Sequence, residues 1–532
     1  MQKSLLVINL LVAAILFTLG FPNILGIYIP LAPVISFIIL FKVLYRYEKL
    51  KIQIGLYFIY NLFITLISFY WIASTFQEFG NLPLPIALLL NALYTFIFNP
   101  HIWIFLILRK FISTKISFNQ YPILFGLSPL LSSFFITTFE YWVPQQFPVM
   151  LGQPWIIFSE HLSLASVFGL PAYSFFSYLL IFSLILPKQN KKVKLLNFTT
   201  ICLFIILNPI LKKQSIQDHK EINLRLVQAN ISNFLKISSE QGRYASVQEV
   251  IQRYYELSIK PYQENKSLDL IVWPETAYPY AITTNQQNLT ETVIPPVFQK
   301  ISELTSAYTL FGGYDHTKDN EDGSLYKTDY NSAILLNPNA KINKIYHKQI
   351  LIPFGETLPF GPLNKYISKY LEEIAFFEKG SDFTSFTVKG NIHFISSICY
   401  ELIQPEYIRE YLNKTATHPD FIINLTNDSW YGPTVEPEQH LFLAKWRAIE
   451  FNLPIVRSTN TGISTVVDKN GSEIERLSPF LTGNIDFTLR LPKKSSEITL
   501  YQKWGYFTFF ALFTLLFLFQ LILLKLKNEN HS

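Results

Sequence analysis

Residues 394–401 read FISSICYE. An apolar and small-residue run leads into Cys399, and a helix-like segment follows it over 402–411. The pattern predicts a β-strand that ends in a turn and hands the chain to a helix. Open α/β sheets present reactive side chains at that kind of place. Such a turn holds a thiol by backbone geometry, and a nearby helix N-terminus favours its thiolate form. The other cysteine, Cys202, lies inside an apolar run, so Cys399 stands alone in the polar half of the chain. A lone cysteine often just fills a core, so the reading turns on partners elsewhere.

Half of the 532 residues are hydrophobic, and the net charge is +6. The chain is too apolar for an ordinary soluble protein, and its second half is too charged for a membrane one. Basic residues cluster at the ends of apolar runs, which argues against a nucleic-acid partner. Two cysteines supply no disulfide framework. Apolar runs approaching the roughly 20 residues of a spanning helix occur at 5–19, 25–41, 54–73, 85–108, 123–139, 164–186, 195–211 and 506–524. They predict an α-helical membrane bundle of about eight spans. Lys42, Arg46, Lys49 and Lys51 follow the second run, and Arg109, Lys110 and Lys115 the fourth. Lys188, Lys191, Lys192 and Lys194 follow the sixth, and Lys525 and Lys527 the eighth. The loops after the first, third and fifth runs carry no Lys or Arg. Basic loops stay in the cytoplasm, so both termini are expected inside and residues 212–504 outside. The first run lacks a cleavage pattern and reads as an uncleaved helix rather than a signal peptide. A transporter is disfavoured because the spans hold almost no ionisable residue; His101 is the exception, expected near an interface. The expected domains are 1–213, 214–504 and 505–532.

In the external segment strands alternate with helical stretches, which predicts an α/β domain with a buried sheet. Strands are expected at 222–231, 268–276, 309–314, 330–336, 392–398, 421–428, 454–458 and 462–467. Helices are expected at 246–259, 296–308 and 438–451. Three polar residues end apolar runs: Glu275 after IVW, Lys348 after IYH, and Cys399. Parallel strands would bring them to one side of a sheet. A thiol nucleophile needs a base, which Glu275 can be. The oxyanion formed on attack needs a positive charge, which Lys348 can supply while lowering the thiol pKa. Singly, Glu275 reads more commonly as a helix cap or surface carboxylate and Lys348 as a solvated side chain; only the trio is unusual. Residues 361–377 have the character of a lid, with Tyr370, Leu371, Ile374, Phe376 and Phe377 able to lie on a bilayer or line an acyl groove. An ordinary amphipathic helix packed on the domain fits them as well. No HExxH, CxxC, GxSxG or Walker loop occurs, so neither metal nor cofactor is expected.

VWPET around Glu275, YHK followed by PFGE with Lys348 and Glu356, and ICYE around Cys399 resemble the nitrilase superfamily. With spans on both sides of that domain, the chain is similar to its membrane-embedded branch, the apolipoprotein N-acyltransferases of bacterial envelopes. The resemblance covers nearly the whole chain. It implies a nitrilase-like α-β-β-α sandwich, a catalytic triad of Glu275, Lys348 and Cys399, and supporting roles for Glu356, Tyr400, Glu401 and Asn331. It further implies a membrane phospholipid as acyl donor and a diacylated apolipoprotein as acceptor. The expected enzyme is a monomer of the inner membrane, with its catalytic domain in the periplasm. One departure is Ile237, where the family often carries a tryptophan; it puts one lipid or peptide contact in question. Two alternatives stay open: a membrane-tethered amidase using the same trio, and an inactive paralogue that binds lipoproteins or lipids.

Overall fold

The computed structural model describes residues 2–80, 82–115, 122–186, 191–210, 219–262, 266–285, 288–317, 329–353, 355–358, 361–367, 377–493 and 497–529. They form two compact units. One takes in Met1–Lys213, Thr434–Phe451 and Ile498–Ser532; the other takes in Gln214–Pro433 and Asn452–Glu497.

The first unit is helical. Its long first segment folds as α1 (Gln2–Thr18), α2 (Ala32–Leu44), α3 (Leu50–Ile67), α4 (Trp71–Gly80), α5 (Leu84–Tyr94), α6 (His101–Lys115), α7 (Pro122–Trp142), α8 (Ala165–Ile185) and α9 (Lys191–Ile210). Four helices among the described residues are long and apolar enough to cross a membrane: Leu50–Ile67, Ala165–Ile185, Lys191–Ile210 and Tyr506–Lys525. Ser4–Thr18, Ala32–Leu44 and Leu84–Tyr94 are apolar but shorter.

The run 85–108, which reads as one span, is broken. Pro100 cannot donate to a continuing helix, and Asn99 before it turns left-handed at φ 48°. The carbonyls freed by the break find partners on α3. Tyr57 donates to Asn99 O at 2.6 Å, and Asn61 Nδ2 donates to Phe98 O at 2.8 Å and Thr95 O at 2.9 Å. Backbone groups left unpaired in lipid are costly, which is why a break at membrane depth needs such side chains. His101 is buried, 3.4 Å from the Tyr178 hydroxyl and 3.9 Å from Glu140. In α8, Gly169 (φ 66°) and Pro171 interrupt the helix, and Glu450 accepts from the freed Leu170 N–H at 2.9 Å. The segment Thr434–Phe451, which the strand–helix pattern puts in the external domain, is therefore built into the helical unit.

The second unit holds thirteen strands among the described residues: β1 (His219–Gln228), β2 (Leu270–Val272), β3 (Ala281–Thr284), β4 (Tyr308–Thr317), β5 (Asp329–Leu336), β6 (Ile342–His347), β7 (Ser385–Val388), β8 (Ile392–Ile398), β9 (Phe421–Thr426), β10 (Ile455–Thr459), β11 (Ser464–Val467), β12 (Glu473–Leu477) and β13 (Gly483–Pro492). They make two sheets, as the nitrilase-like sandwich requires, where strand–helix alternation alone reads one buried sheet. The first runs β13-β1-β2-β4-β5-β6, with β3 on β4; the second runs β12-β11-β10-β9-β8-β7. The sheets meet where Ser458 of β10 donates to the Val272 carbonyl of β2 at 3.2 Å and Gln228 of β1 accepts from Thr459 and Ser464. Outside the first sheet, the helices Tyr244–Ser258 and Pro296–Thr305 bury Val250, Tyr254, Phe298 and Ile301 around Trp273. Trp273 stacks on Tyr254 and donates to Ser258 Oγ at 2.8 Å. The helix Pro405–Lys414 buries Ile408 and Tyr411, and Tyr411 donates to the Thr384 carbonyl just ahead of β7. β13, absent from the expected strands, pairs along all of β1.

Candidate active site

β1, β2 and β4 run parallel, and β5 reverses so that β6 again points with β4. The C-terminal ends of β2 and β6 thus share one edge of the first sheet. Glu275 follows β2 after Trp273 and Pro274, and Lys348 follows β6. Cys399 follows β8, whose parallel neighbours β9 and β10 belong to the second sheet. The three residues therefore come from two facing sheets, not from one.

Lys348 is fully buried. Its Nζ donates to Glu275 Oε1 at 3.1 Å and to Glu356 Oε1 at 2.8 Å. Asn331 Nδ2 donates to the same two oxygens at 2.8 and 3.1 Å. Each carboxylate spends its other oxygen on backbone: Glu275 Oε2 accepts from Asn427 N at 2.9 Å, and Glu356 Oε2 from Ile352 N at 2.9 Å. Burial by itself pulls the Lys348 ammonium down, but Glu275, Glu356 and Cys399 push it well above the usual lysine range. It stays charged at any physiological pH.

Cys399 is buried, with φ 51°. Left-handed backbone costs an ordinary residue about 1–3 kcal/mol, and such strain gathers at functional sites. Asn424 Nδ2 braces the turn by donating to the Cys399 carbonyl at 3.4 Å, and Arg457 donates to Asn424 Oδ1 at 2.5 Å. Burial, then the Glu275 charge, push the thiol well above its usual range, while Lys348 and a hydrogen bond with Thr426 pull the other way. The Lys348 ammonium lowers the thiol as expected, but the net shift is upward. A five-residue 3-10 turn, Cys399–Ile403, separates the cysteine from the helix Pro405–Lys414, and burial with the Glu275 and Asp428 carboxylates outweighs the ammonium.

Glu401 ties the Cys399 turn to the Lys348 loop. Its carboxylate accepts from Ile398 N at 2.7 Å, Gln349 N at 2.6 Å, Ile350 N at 3.0 Å and the Tyr346 hydroxyl at 2.7 Å. Tyr400 is buried and hydrogen-bonded to Gln404. Of the lid candidates, Tyr370, Leu371, Ile374 and Phe376 lie outside the described residues. Phe377 stacks on Tyr314 at 5.7 Å, and its N–H donates to the Glu356 carbonyl at 3.2 Å. Ile237 is exposed. Asn427, not singled out from sequence, holds one Glu275 oxygen. Its signal was present: FIINLTND is another apolar strand ending in polar residues. Gly312 is also needed, because a Cβ there would lie 2.3 Å from the Pro274 carbonyl and 2.6 Å from Glu275 Cα.

The family model for carbon-nitrogen hydrolases matches residues 223–491, and that for the apolipoprotein N-acyltransferase N-terminal domain matches 13–182. The chain is 29% identical over 473 residues to the apolipoprotein N-acyltransferase of Bdellovibrio bacteriovorus, covering 85% of this chain and 82% of that one. It is 28% identical over 463 residues to that of Haemophilus ducreyi, covering 83% and 82%. Among solved structures, a nitrilase-superfamily protein of Saccharomyces cerevisiae superposes with a TM-score of 0.34 at 16% identity, covering 53% of this chain and 93% of that one.

Proposed function

The chain belongs to the carbon-nitrogen hydrolase family, in the branch that carries an apolipoprotein N-acyltransferase N-terminal domain; from that premise we propose that Cys399 carries an acyl chain from a membrane phospholipid to the α-amine of a diacylated apolipoprotein. The protein is an acyltransferase of lipoprotein maturation in the bacterial inner membrane, with about eight spans and its catalytic domain on the periplasmic side. The observation that carries the reading is the buried cluster in which Lys348 bridges Glu275 and Glu356 while both Lys348 and Glu275 act on the Cys399 thiol.

In the first half-reaction Sγ attacks the ester carbonyl and Glu275 takes the thiol proton. The S–C bond forms, the C–O bond to glycerol breaks, and Glu275 returns the proton to the leaving oxygen, releasing a lysophospholipid. In the second, the neutral amine attacks the thioester. The N–C bond forms, the C–S bond breaks, and Glu275 moves a proton from nitrogen to the departing sulfur. Lys348 steadies the oxyanion in both. Because the resting thiol holds its proton, the base is needed at the moment of attack rather than beforehand. Each buried CH₂ is worth about 0.8 kcal/mol, so a two-chain lipid is not lifted into water; the site must open toward the bilayer.

The test is intact mass. Full-length protein mixed with phosphatidylethanolamine micelles is expected to gain one acyl chain on Cys399, and a diacylated peptide is expected to discharge it as an amide. Cys399→Ser should lose the adduct while still inserting in membranes. Discharge to water as fast as to the peptide would mean a hydrolase, and no adduct from any phospholipid would end the proposal.

A further inference from the structure

The turn that aims Glu275 adopts a backbone its sequence resists. Thr276 has φ 45°, where a β-branched residue is an outlier. On one side Gly312 holds the turn: its N–H donates to the Pro274 carbonyl at 3.1 Å and its carbonyl accepts from Ala277 N at 2.9 Å. On the other side stands Lys236, in the helix α10 (Asn233–Glu240). Lys236 is 6% exposed, an unusual state for a lysine, which stays buried only when paired. Its ammonium donates to the Thr276 carbonyl at 3.2 Å and also to the Thr276 hydroxyl. Glu240 lies 3.5 Å from the same ammonium and accepts from the Tyr314 hydroxyl at 2.5 Å. Tyr314 is on β4, two residues past Gly312, so the chain Tyr314–Glu240–Lys236–Thr276 closes around the turn. Lys236, Glu240, Glu275 and Thr276 line one small cleft with Asn460. Asn460 joins the two supports of Glu275: its Nδ2 donates to Ile231 O at 2.8 Å, ahead of α10, and to Asn427 Oδ1 at 3.1 Å.

We propose that Lys236 is a positioning residue for Glu275: it holds Thr276 in the left-handed conformation and so keeps the Glu275 carboxylate on Lys348 and within reach of Cys399. The inference rests on Glu275 being the base of the proposed reaction. It makes a demand that a merely structural lysine would not. The requirement for Lys236 should vanish when residue 276 can hold its backbone unaided, and glycine populates that region freely.

The experiment follows the rate of Cys399 acylation by phosphatidylethanolamine micelles across pH in the full-length protein. Wild-type protein must form the adduct; if it does not, the proposed function fails, whatever Lys236 does. Given that adduct, Lys236→Met is expected to slow acylation roughly 10- to 100-fold with the pH midpoint unmoved, the cost of a misplaced base. Adding Thr276→Gly to Lys236→Met is expected to recover most of the rate. An unchanged rate in Lys236→Met, a slowed variant that Thr276→Gly does not recover, or a displaced pH midpoint would each overturn the proposal, the last by making Lys236 act through its charge. Should Lys236→Met fail to fold, Glu240→Gln and Tyr314→Phe put the same question. Each is expected to slow acylation and to be recovered by Thr276→Gly, and wild-type rates in both would overturn it.

Discussion

At the scale of single residues, the proposed chemistry rests on a sulfur that keeps its proton. Burial and the Glu275 charge raise the Cys399 pKa against the pull of Lys348, so little thiolate exists at neutral pH. In a Cys202→Ser background, alkylation of Cys399 by iodoacetamide is expected to rise with pH through a midpoint above the ordinary cysteine value of about 8.5. Glu275→Gln removes the repelling charge and should move that midpoint down; a wild-type midpoint below the ordinary value would contradict the geometry. The identities of Glu275, Lys348 and Cys399 could be read from sequence because each ends an apolar strand. Lys236 could not: it sits in a polar helical stretch, and only its burial against Thr276 distinguishes it from a solvated lysine. Asn427 ends an apolar strand as the trio does, but it meets Glu275 through a backbone N–H, so its side chain gave no chemical reason to single it out.

At the scale of elements, breaks matter as much as helices. Between the end of α5 and the start of α6, Asn61 of α3 donates to the Thr95 and Phe98 carbonyls, and Tyr57 of α3 donates to the Asn99 carbonyl. Asn61 is fully buried, so Asn61→Leu is expected to strand the Thr95 carbonyl, leave Phe98 O only the 3.4 Å contact from Tyr57, and lower stability by about 1–3 kcal/mol. A thermal melt in detergent checks this, with Leu66→Ala, on the exposed side of α3, as the control that should move little. Hydropathy could not find the break, since 85–108 is apolar throughout apart from Asn91, Asn99, Thr95 and His101. The strand ends were more legible, because a buried parallel strand is a short apolar run whose first polar residue marks the edge. The pairing of β13 with β1 was not, although GNIDFTLRLP alternates as a strand should.

At the scale of the whole molecule, the alternation of basic and uncharged loops proposes which face each segment meets. In a Cys202→Ser, Cys399→Ser background, Val293→Cys lies on an exposed site of the second unit and Lys51→Cys on an exposed site at the start of α3. An impermeant maleimide added to intact spheroplasts is expected to label the first and to reach the second only after permeabilisation. Labelling in the reverse order would invert the proposed topology.

By itself the amino-acid order determined the apolar character of the first half, the α/β character of the polar half and the three residues proposed to carry the chemistry, because hydrophobic periodicity and strand ends are local properties. Tertiary structure alone decided that the trio is drawn from two sheets, that Thr434–Phe451 belongs with the helices, and that the thiol is raised rather than lowered. Those outcomes depend on which distant groups share a desolvated space, and burial and charge there act over distance in the fold, not along the chain.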